Sequence, residues 1–185
     1  MSKKWIISDT HFGHKNILKY SGAFRGGTTS EEHDEWLIDQ INSVLKKNDL
    51  LYIAGDVAFN EESLHKVKRI KCQKVLIRGN HDILAAQKYL EYFAQIQGLI
   101  SHKGTFWISH APVHPQELRG RYNIHGHSHQ NSILGIDGLP DPRYINVCVE
   151  MTYGVPQSLD DLLEKHKDEV IAARNALYQE KKINE

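Results

Sequence analysis

The chain has 185 residues, enough for one domain with a buried sheet covered by helices. Its hydrophobic fraction of 40% and charged fraction of 25% are those of an ordinary globular protein, and its 23 Lys and Arg side chains balance 23 Asp and Glu side chains. A global basic field that attracts nucleic acid is therefore excluded. No stretch approaches the roughly 18 apolar residues of a membrane span, so no membrane partner is expected.

The two cysteines, Cys72 and Cys148, lie far apart and form no C-x-x-C pattern. We expect both to be reduced, buried and structural, as in a cytoplasmic protein. The apolar start of the chain is too short for a signal peptide. Residues 1–185 are predicted to form a single domain with a frayed tail from Gln179 to Glu185, and the sequence leaves the oligomeric state open.

Strands and helices alternate in the first half of the chain, which predicts a parallel sheet with right-handed crossovers. The predicted elements are a strand at Trp5–Ser8, a glycine-rich loop at Tyr20–Ser30, a helix from the capping residue Thr29 to about Lys47, a buried strand in the apolar run that starts at Leu50 and ends at Gly55 and Asp56, a short helix at Asn60–Lys71, a strand at Lys74–Ile77, and a helix from Ile83 to about Phe93 with Asp82 as a candidate N-cap.

Hairpin signals appear in the second half, which predicts a mixed or antiparallel sheet. The predicted elements are a hairpin of Ile96–Ser101 with Thr105–Ser109, a strand at Tyr122–His125, a hairpin of Ser132–Ile136 with Tyr144–Val149, and a last helix from Ser158 that buries Leu159, Leu162, Leu163, His166, Val170 and Leu177.

Five apolar runs end in side chains that can bind a metal ion, within a chain unusually rich in histidine, with 12 in all. The endings are Asp9-Thr10-His11, Gly55-Asp56, Gly79-Asn80-His81-Asp82, Ser109-His110 and Gly126-His127-Ser128-His129. One such ending would be ordinary turn or cap chemistry. Because open α/β sheets place ligand sites at the C-terminal ends of strands, five endings indicate a shared metal site. Carboxylate, amide and imidazole donors without thiolates suit Mn, Fe, Zn or Mg, and they are too many for one ion.

This ordered series resembles the metal-binding signature of the calcineurin-like metallophosphoesterases, whose blocks are D-x-H, G-D, G-N-H-D/E, H and G-H-x-H. The resemblance implies a small single-domain member with an α/β fold, in which two packed mixed β-sheets are flanked by helices. It also implies two divalent metal ions, with Mn²⁺ favoured and Fe, Zn, Ni or Mg as alternatives. By the family pattern, one ion is held by Asp9, His11 and His129, the other by Asn80, His110 and His127, and Asp56 bridges them.

Two ions so placed can hold a bridging hydroxide and neutralise phosphate oxygens during displacement at phosphorus. The resemblance makes His81 the general acid, with Asp82 either orienting it or capping a helix. We expect a phosphodiesterase acting on a nucleotide-type or other small phosphate ester, because a single domain with short loops leaves the site open. Candidate substrate contacts are His14, Arg25 and Arg119; the alternatives are a plain loop histidine and, favoured for both arginines, solvated surface residues.

Three other functions stay open at this point. A phosphomonoesterase would use the same motif, and a scaffold module could keep the fold without catalysis. A nuclease would need a basic or aromatic-lined groove, so the neutral net charge and the lack of a Lys/Arg cluster near the motifs count against it.

Overall fold

The structure, a computed structural model, describes residues 2–183, which form two β-sheets and six α-helices. The strands are β1 Lys4–Ile7, β2 Leu50–Ile53, β3 Gln73–Ile77, β4 Gln95–Gln97, β5 Leu99–His102, β6 Phe106–Ser109, β7 Tyr122–His125, β8 Tyr144–Asn146 and β9 Gln157–Ser158. The α-helices are α1 Ile17–Ser21, α2 Ser30–Val44, α3 Glu61–Leu64, α4 Ala86–Leu90, α5 Val149–Thr152 and α6 Leu159–Ile183. Short 3₁₀ turns cover Gly22–Phe24, His65–Arg69 and Pro115–Glu117.

Both sheets are mixed, as the family resemblance implies, and the parallel sheet predicted from the first half of the chain gains one antiparallel strand. The first sheet has the order β4-β3-β2-β1-β9, in which β1 to β4 are parallel and β9 is antiparallel to β1. The second has the order β5-β6-β7-β8, in which β6 to β8 are parallel and β5 is antiparallel to β6. Because Ile7 pairs with Ile53 and Ile53 with Leu76, the C-terminal ends of β1, β2 and β3 lie side by side.

Two apolar cores hold the layers together. One combines Ile7 of β1 with Leu37 and Ile41 of α2, and the other combines Ile6 of β1 with Ile108 of β6. Neighbouring residues of a strand point to opposite faces, so β1 serves both cores. Burying one such side chain contributes about 1.5–3 kcal/mol. The first sheet is therefore covered by helices on one face and by the second sheet on the other.

Helix α2 begins where the capping signal predicts. The Thr29 hydroxyl accepts a hydrogen bond from Glu32 N at 3.1 Å, and the Glu32 carboxylate accepts one from Thr28 N at 2.8 Å. The first bond satisfies a backbone donor that the first turn leaves unpaired, and the second ties the preceding loop to the helix. The helix ends at Val44, slightly earlier than expected.

Strand pairing in the second half differs from the prediction. Ile96 belongs to β4, which pairs with β3 in the first sheet, so the first hairpin begins only at Leu99. The second predicted hairpin is wrong: β8 pairs in parallel with β7, and Ser132–Ile136 contributes only an isolated bridge from Leu134 to Pro140. A local turn signal shows that the chain reverses, but it does not specify which strand becomes the neighbour.

Two helical predictions and one loop prediction also change. Within the predicted Ile83–Phe93 helix only α4 forms. The Asn60–Lys71 segment is α3 followed by a 3₁₀ turn. The expected loop at Tyr20–Ser30 starts with the end of α1 and a 3₁₀ turn, and it carries a buried arginine, Arg25.

Helix α6 continues to Ile183, into the segment expected to fray, and residues 184–185 of the predicted tail lie outside the described residues. Leu162 and Leu163 pack against the second core as predicted, whereas the side chains of Val170 and Leu177 lie outside the described residues. None of the helices in residues 2–183 is both long and apolar enough to span a bilayer. Both cysteines are free and buried.

Candidate metal centre

The predicted ligands follow the C-terminal ends of strands from both sheets. Strand β1 leads to Asp9 and β2 to Asp56, and the two loops run side by side. Asp9 N donates to Gly55 O at 3.0 Å, and His11 N donates to Asp56 O at 3.0 Å. The remaining predicted ligands follow β3, β6 and β7 and are Asn80, His110, His127 and His129.

Asp9, His11 and His129 converge in what we call the inner group. His11 Nε2 and His129 Nε2 lie 3.7 and 3.8 Å from Asp9 Oδ1, and the two rings stack with centroids 5.3 Å apart. Asp9 Oδ1 and both ring nitrogens of His11 are buried without a hydrogen-bond partner among the described residues. An unsatisfied buried polar atom costs about 1–3 kcal/mol, so these atoms fit a bound cation.

Asp56, Asn80, His110 and His127 converge in what we call the outer group. Asn80 Oδ1 lies 2.9 Å from both His110 Nε2 and His127 Nδ1, and these two nitrogens are 3.2 Å apart. His110 Nδ1 donates to Ala54 O at 2.8 Å, so in the neutral ring Nε2 carries the lone pair that faces the group. Asn80 and His127 are exposed, so solvent reaches this group.

Asp56 joins the two groups. Its Oδ2 lies 3.8 Å from His11 Nε2 and 3.4 Å from His110 Nε2, while its Oδ1 accepts from His81 N at 2.9 Å. Burial alone would raise the pKa of Asp56, but the neighbouring His110 holds it below its usual range. One ionised oxygen therefore faces both groups, as the bridging prediction requires. The oxygen and nitrogen donors fit two divalent cations of the Mn, Fe, Zn or Mg kind.

Five of the proposed ligands have a backbone conformation that residues other than glycine rarely adopt. Their φ angles lie between +48° and +67°, and they are Asp9, His11, Asp56, His127 and His129. Each such residue costs of order 1–3 kcal/mol and persists only where its surroundings hold it. The segment from Gly126 to His129 is therefore not an extended continuation of β7. Left-handed turns, rather than strand alternation, direct His127 to the outer group and His129 to the inner group.

Two motif glycines allow the ligand loops to approach each other. A Cβ atom at Gly79 would lie 2.3 Å from Asp56 Oδ1. At Gly126 it would lie 1.9 Å from Ser8 Oγ and 2.3 Å from Asp9 Oδ2. Since either contact is shorter than real Cβ atoms allow, a side chain at these positions would displace a proposed ligand.

A family model for the calcineurin-like phosphoesterase superfamily domain matches residues 3–148, a range that contains every residue of the inner and outer groups. The chain belongs to this superfamily. The family resemblance in the sequence and the two-sheet fold that it implies are confirmed.

Two relatives of this phosphoesterase domain match it over nearly their whole length, and a third matches over less than half. An uncharacterized protein of Methanocaldococcus jannaschii, MJ1445, is 34% identical over 177 residues, which cover 90% of this chain and 94% of that protein. The crystal structure of AQ665 from Aquifex aeolicus, a protein of unknown function, aligns with a TM-score of 0.68 at 28% identity and covers 89% of this chain and 99% of that one. The gene 66 protein of Mycobacterium phage L5 is 34% identical over 87 residues, 44% of this chain and 41% of that protein. None of these names specifies a substrate.

The second oxygen of Asp9 is held by three hydrogen bonds. Ser8 Oγ donates to Oδ2 at 2.6 Å, His127 N at 2.9 Å and Cys148 Sγ at 3.2 Å. Burial alone would raise the pKa of Asp9, but the His11 and Ser8 side chains hold it well below its usual range. Burial raises the pKa of the Cys148 thiol, so this cysteine stays a protonated donor. Asp9 Oδ1 is left for the cation.

The sequence did not predict the buried ion pair between Arg25 and Glu150, which lies beneath the inner group. His129 Nδ1 lies 2.9 Å from Glu150 Oε1, and Arg25 Nη2 lies 2.7 Å from the same oxygen and donates to Asp9 O at 2.8 Å. Burial alone would raise the pKa of Glu150, but its bond to His129 and the charge of Arg25 hold it at about 2. Because an ionised carboxylate only accepts, His129 donates from Nδ1 and presents Nε2 to the inner group.

The position of Arg25 excludes both sequence-based interpretations of it. With 5% of its surface exposed it is neither a substrate contact nor a solvated arginine, and it supports the loop that carries Asp9. The signal for its partner was an acidic residue inside the otherwise apolar run Val147–Met151. An isolated acid in a run that reads as core indicates a buried, paired charge.

Asp82 does not perform either of its predicted roles. Its buried carboxylate accepts three backbone N–H groups, from Asp56 at 2.9 Å, Val57 at 3.0 Å and Gly79 at 2.8 Å. Helix α4 begins only at Ala86, so Asp82 is not its cap. Since the carboxylate is directed at the backbone rather than at the His81 ring, Asp82 is a positioning residue that joins the Asp56 loop to the Gly79 loop.

A depression of about 300 Å³ opens beside the inner group. It is lined by His11, His14, Ile17, Tyr20, Ser21, His81, His129, Gln130 and Asn131. The ring centroids of His14 and His81 lie 5.7 and 5.6 Å from that of His11, so both proposed functional histidines stand at this opening. Arg119 lines a different depression next to Trp107 and forms an exposed ion pair with Glu117. A substrate contact from Arg119 therefore has no support in the geometry.

Proposed function

We propose that this protein is a two-metal phosphodiesterase that hydrolyses a small, nucleotide-type phosphate ester. The observation that carries the proposal is Asp56 Oδ2, which lies within 3.8 Å of one nitrogen from each ligand group. Two divalent cations supply Lewis-acid activation of water and neutralise charge on the phosphoryl oxygens. Membership of the phosphoesterase superfamily supports phosphate ester hydrolysis in general, whereas the diester preference and Mn²⁺ as the favoured ion go beyond it.

His81 is the proposed general acid. Its backbone N–H donates to Asp56 Oδ1 at 2.9 Å, which places the start of its side chain beside the shared carboxylate. Its exposed ring reaches the opening over the inner group. A protonated imidazole there can transfer its proton to the departing alkoxide oxygen.

His14 is the proposed neutral donor to a phosphoryl oxygen. Asn16 N donates to its Nδ1 at 3.1 Å, so the neutral ring carries its proton on Nε2. Burial, and then the neighbouring charge of His11, lower the pKa of His14 and favour the neutral ring. The side chain can therefore orient a phosphate group without adding a charge.

The lining of the depression favours a diester over a monoester. Of the described residues that line it, none is a lysine or an arginine. A phosphate monoester carries a second negative charge at neutral pH, since its second pKa is about 6. That charge would meet no fixed cationic side chain here, whereas a diester carries a single charge.

The proposal is tested by comparing bis(p-nitrophenyl) phosphate with p-nitrophenyl phosphate on protein loaded with Mn²⁺. We expect kcat/KM to be at least about tenfold higher for the diester, a difference of about 1.4 kcal/mol in transition-state stabilisation. The reverse preference would assign a phosphomonoesterase. No turnover of either ester by protein with two bound ions per chain would leave a scaffold role and overturn the proposal.

The role of His81 is tested with esters that differ in their leaving group. His81→Asn should lower kcat by roughly 10²–10⁴-fold for an alkyl leaving group, which needs a proton. The loss should be much smaller for p-nitrophenolate, which departs as an anion and needs no proton. His65→Asn, at an exposed histidine that bonds Tyr92, is the matched control. Equal losses for both leaving groups would contradict a proton-transfer role.

A further inference from the structure

Two exposed aromatic rings that the proposed hydrolysis does not use stand at the depression: Tyr20 lines it, and Phe59 lies next to its lining residues His14 and His81. The ring centroids of Phe59 and Tyr20 lie 4.4 and 6.4 Å from that of His14, and Phe59 is 6.4 Å from His81. The exposed fractions are 51% for Phe59 and 66% for Tyr20. Single exposed apolar residues are common, but two rings that flank one histidine at a site opening form a local apolar surface.

Ordered backbone holds both rings in place. Phe59 follows a β-bridge between Phe12 and Ala58, and its N–H donates to Phe12 O at 2.9 Å. This bridge continues the paired loops of Asp9 and Asp56, so the ring is tied to the metal centre. Tyr20 lies on α1, whose residues Ile17 and Ser21 are buried, and the helix therefore turns the tyrosine outward.

We propose that Phe59 and Tyr20 form a stacking site for the nucleobase of the substrate, so that a nucleotide ester is preferred to a sugar or alkyl phosphate. Planar bases stack on aromatic rings whatever their sequence, because every base has a π face. The position beside His81 places the base on the side of the proposed leaving group. This inference rests on the proposed function, since it assigns the substrate class of the same site.

The size and charge of the site favour a mononucleotide-sized ester over a polymer. A volume of about 300 Å³ lies at the lower end of the roughly 300–1,000 Å³ typical of small-molecule sites. A polymer groove needs basic side chains that follow the phosphate backbone, and none of the described lining residues is lysine or arginine. The aromatic rings thus select the base, and the metal centre selects the single phosphate of the same nucleotide.

AMP and ribose 5-phosphate test the site, because ribose 5-phosphate has the same phosphorylated sugar but a hydroxyl group in place of the base. Their dissociation constants are measured by calorimetry on full-length protein loaded with Mn²⁺. We expect AMP to bind about 5-fold to 150-fold more tightly, the range for stacking of one base. Phe59→Leu and Tyr20→Leu should each reduce this ratio, and the double variant should bring it close to one.

Two matched variants complete the experiment. Phe59→Tyr keeps a ring and should keep the ratio, and Ile136→Ala, at a fully exposed residue, should not change it. Equal affinities in the unmodified protein, failure to bind either ligand, or a ratio that survives in the double variant would overturn the stacking site. Diester hydrolysis is measured on the same preparations. A normal affinity ratio without hydrolysis would contradict the proposed function alone, and hydrolysis without base discrimination would contradict the stacking site alone.

Discussion

The inner and outer ligand groups are built from similar side chains but are supported differently. In the inner group, His129 is oriented by the buried Glu150 carboxylate, which is paired with Arg25. In the outer group, His110 is oriented by a backbone carbonyl, Ala54 O, and its partners Asn80 and His127 are exposed.

This difference indicates how the two groups should bind a cation. A carboxylate behind a histidine fixes its tautomer and makes it a stronger ligand, whereas a carbonyl fixes the tautomer with less electrostatic effect. The inner group should therefore hold its ion more tightly and lose it later during chelation. The outer group, which solvent reaches, should exchange its ion more readily.

The largest expected effect comes from removing what the two groups share. Asp56→Asn keeps the shape of the side chain but removes the charge on the oxygen that faces both groups. We expect hydrolysis to fall well beyond the roughly 10–100-fold loss typical for a residue that only supports a ligand. Metal content, measured by elemental analysis of dialysed protein, should fall below two ions per chain.

Asp49→Asn is the matched control for this change. Asp49 is also a buried carboxylate, but it accepts from Lys3 N and Trp5 Nε1, away from the metal centre. The Asp49→Asn variant should lower the free energy of unfolding without altering metal content. If Asp56→Asn kept both ions and full activity, the bridging role would be excluded.

The next largest effect should separate the two groups. Glu150→Gln removes the charge behind His129 and leaves the buried Arg25 guanidinium unpaired. We expect a 10–100-fold loss of metal affinity at the inner group, with the outer group unchanged. The free energy of unfolding should fall by on the order of 3 kcal/mol, as for other broken buried pairs. Competition with a fluorescent chelator measures the two affinities, and urea denaturation measures the stability.

Glu117→Gln offers the corresponding change in an exposed ion pair. Glu117 pairs with Arg119 at the surface, where such pairs contribute roughly 0–1 kcal/mol. Neither metal affinity nor stability should change measurably. Equal losses of affinity at both groups in Glu150→Gln would show that the support is shared rather than confined to the inner group.

The convergence of the outer and inner groups was predictable because it depends on short motifs at strand ends. Parallel pairing brings the ends of β1, β2 and β3 together, so Asp9, Asp56 and Asn80 must lie close to one another once the strands are recognised. The conformations that aim them were not predictable. Positive φ values at five of the seven proposed ligands are held by the packing around them.

Glu150 and Arg25 show where sequence reasoning ends. They are 125 residues apart, and no local pattern links them. Helix α5, which carries Glu150, has four residues and is too short to show a helical period. The same limit applies to Ile96, because its strand pairs with β3 across a long connection rather than with the next strand.

The smallest predicted effect is a pH dependence that should reverse when metal binds. In the metal-free protein, burial alone would lower the pKa of His110, but the Asp56 and Asp9 carboxylates raise it to about 8. A folded pKa above the ordinary 6.5 means that protonated His110 stabilises the metal-free fold fully below about pH 6.5, and that this stabilisation is lost as the pH rises through 8. The rise corresponds to about 2 kcal/mol.

In the presence of Mn²⁺ the proton and the cation compete for His110 Nε2. The free energy of unfolding should therefore increase from pH 6.5 to 8. Urea denaturation at several pH values, with chelator or with Mn²⁺, compares the two slopes. His110→Gln should remove this contribution in both conditions, and Glu150→Gln should change the slope only through His129, whose pKa is raised by its bond to Glu150. Slopes of the same sign with and without Mn²⁺ would mean that His110 does not bind the ion, and the outer group would then lose its central ligand.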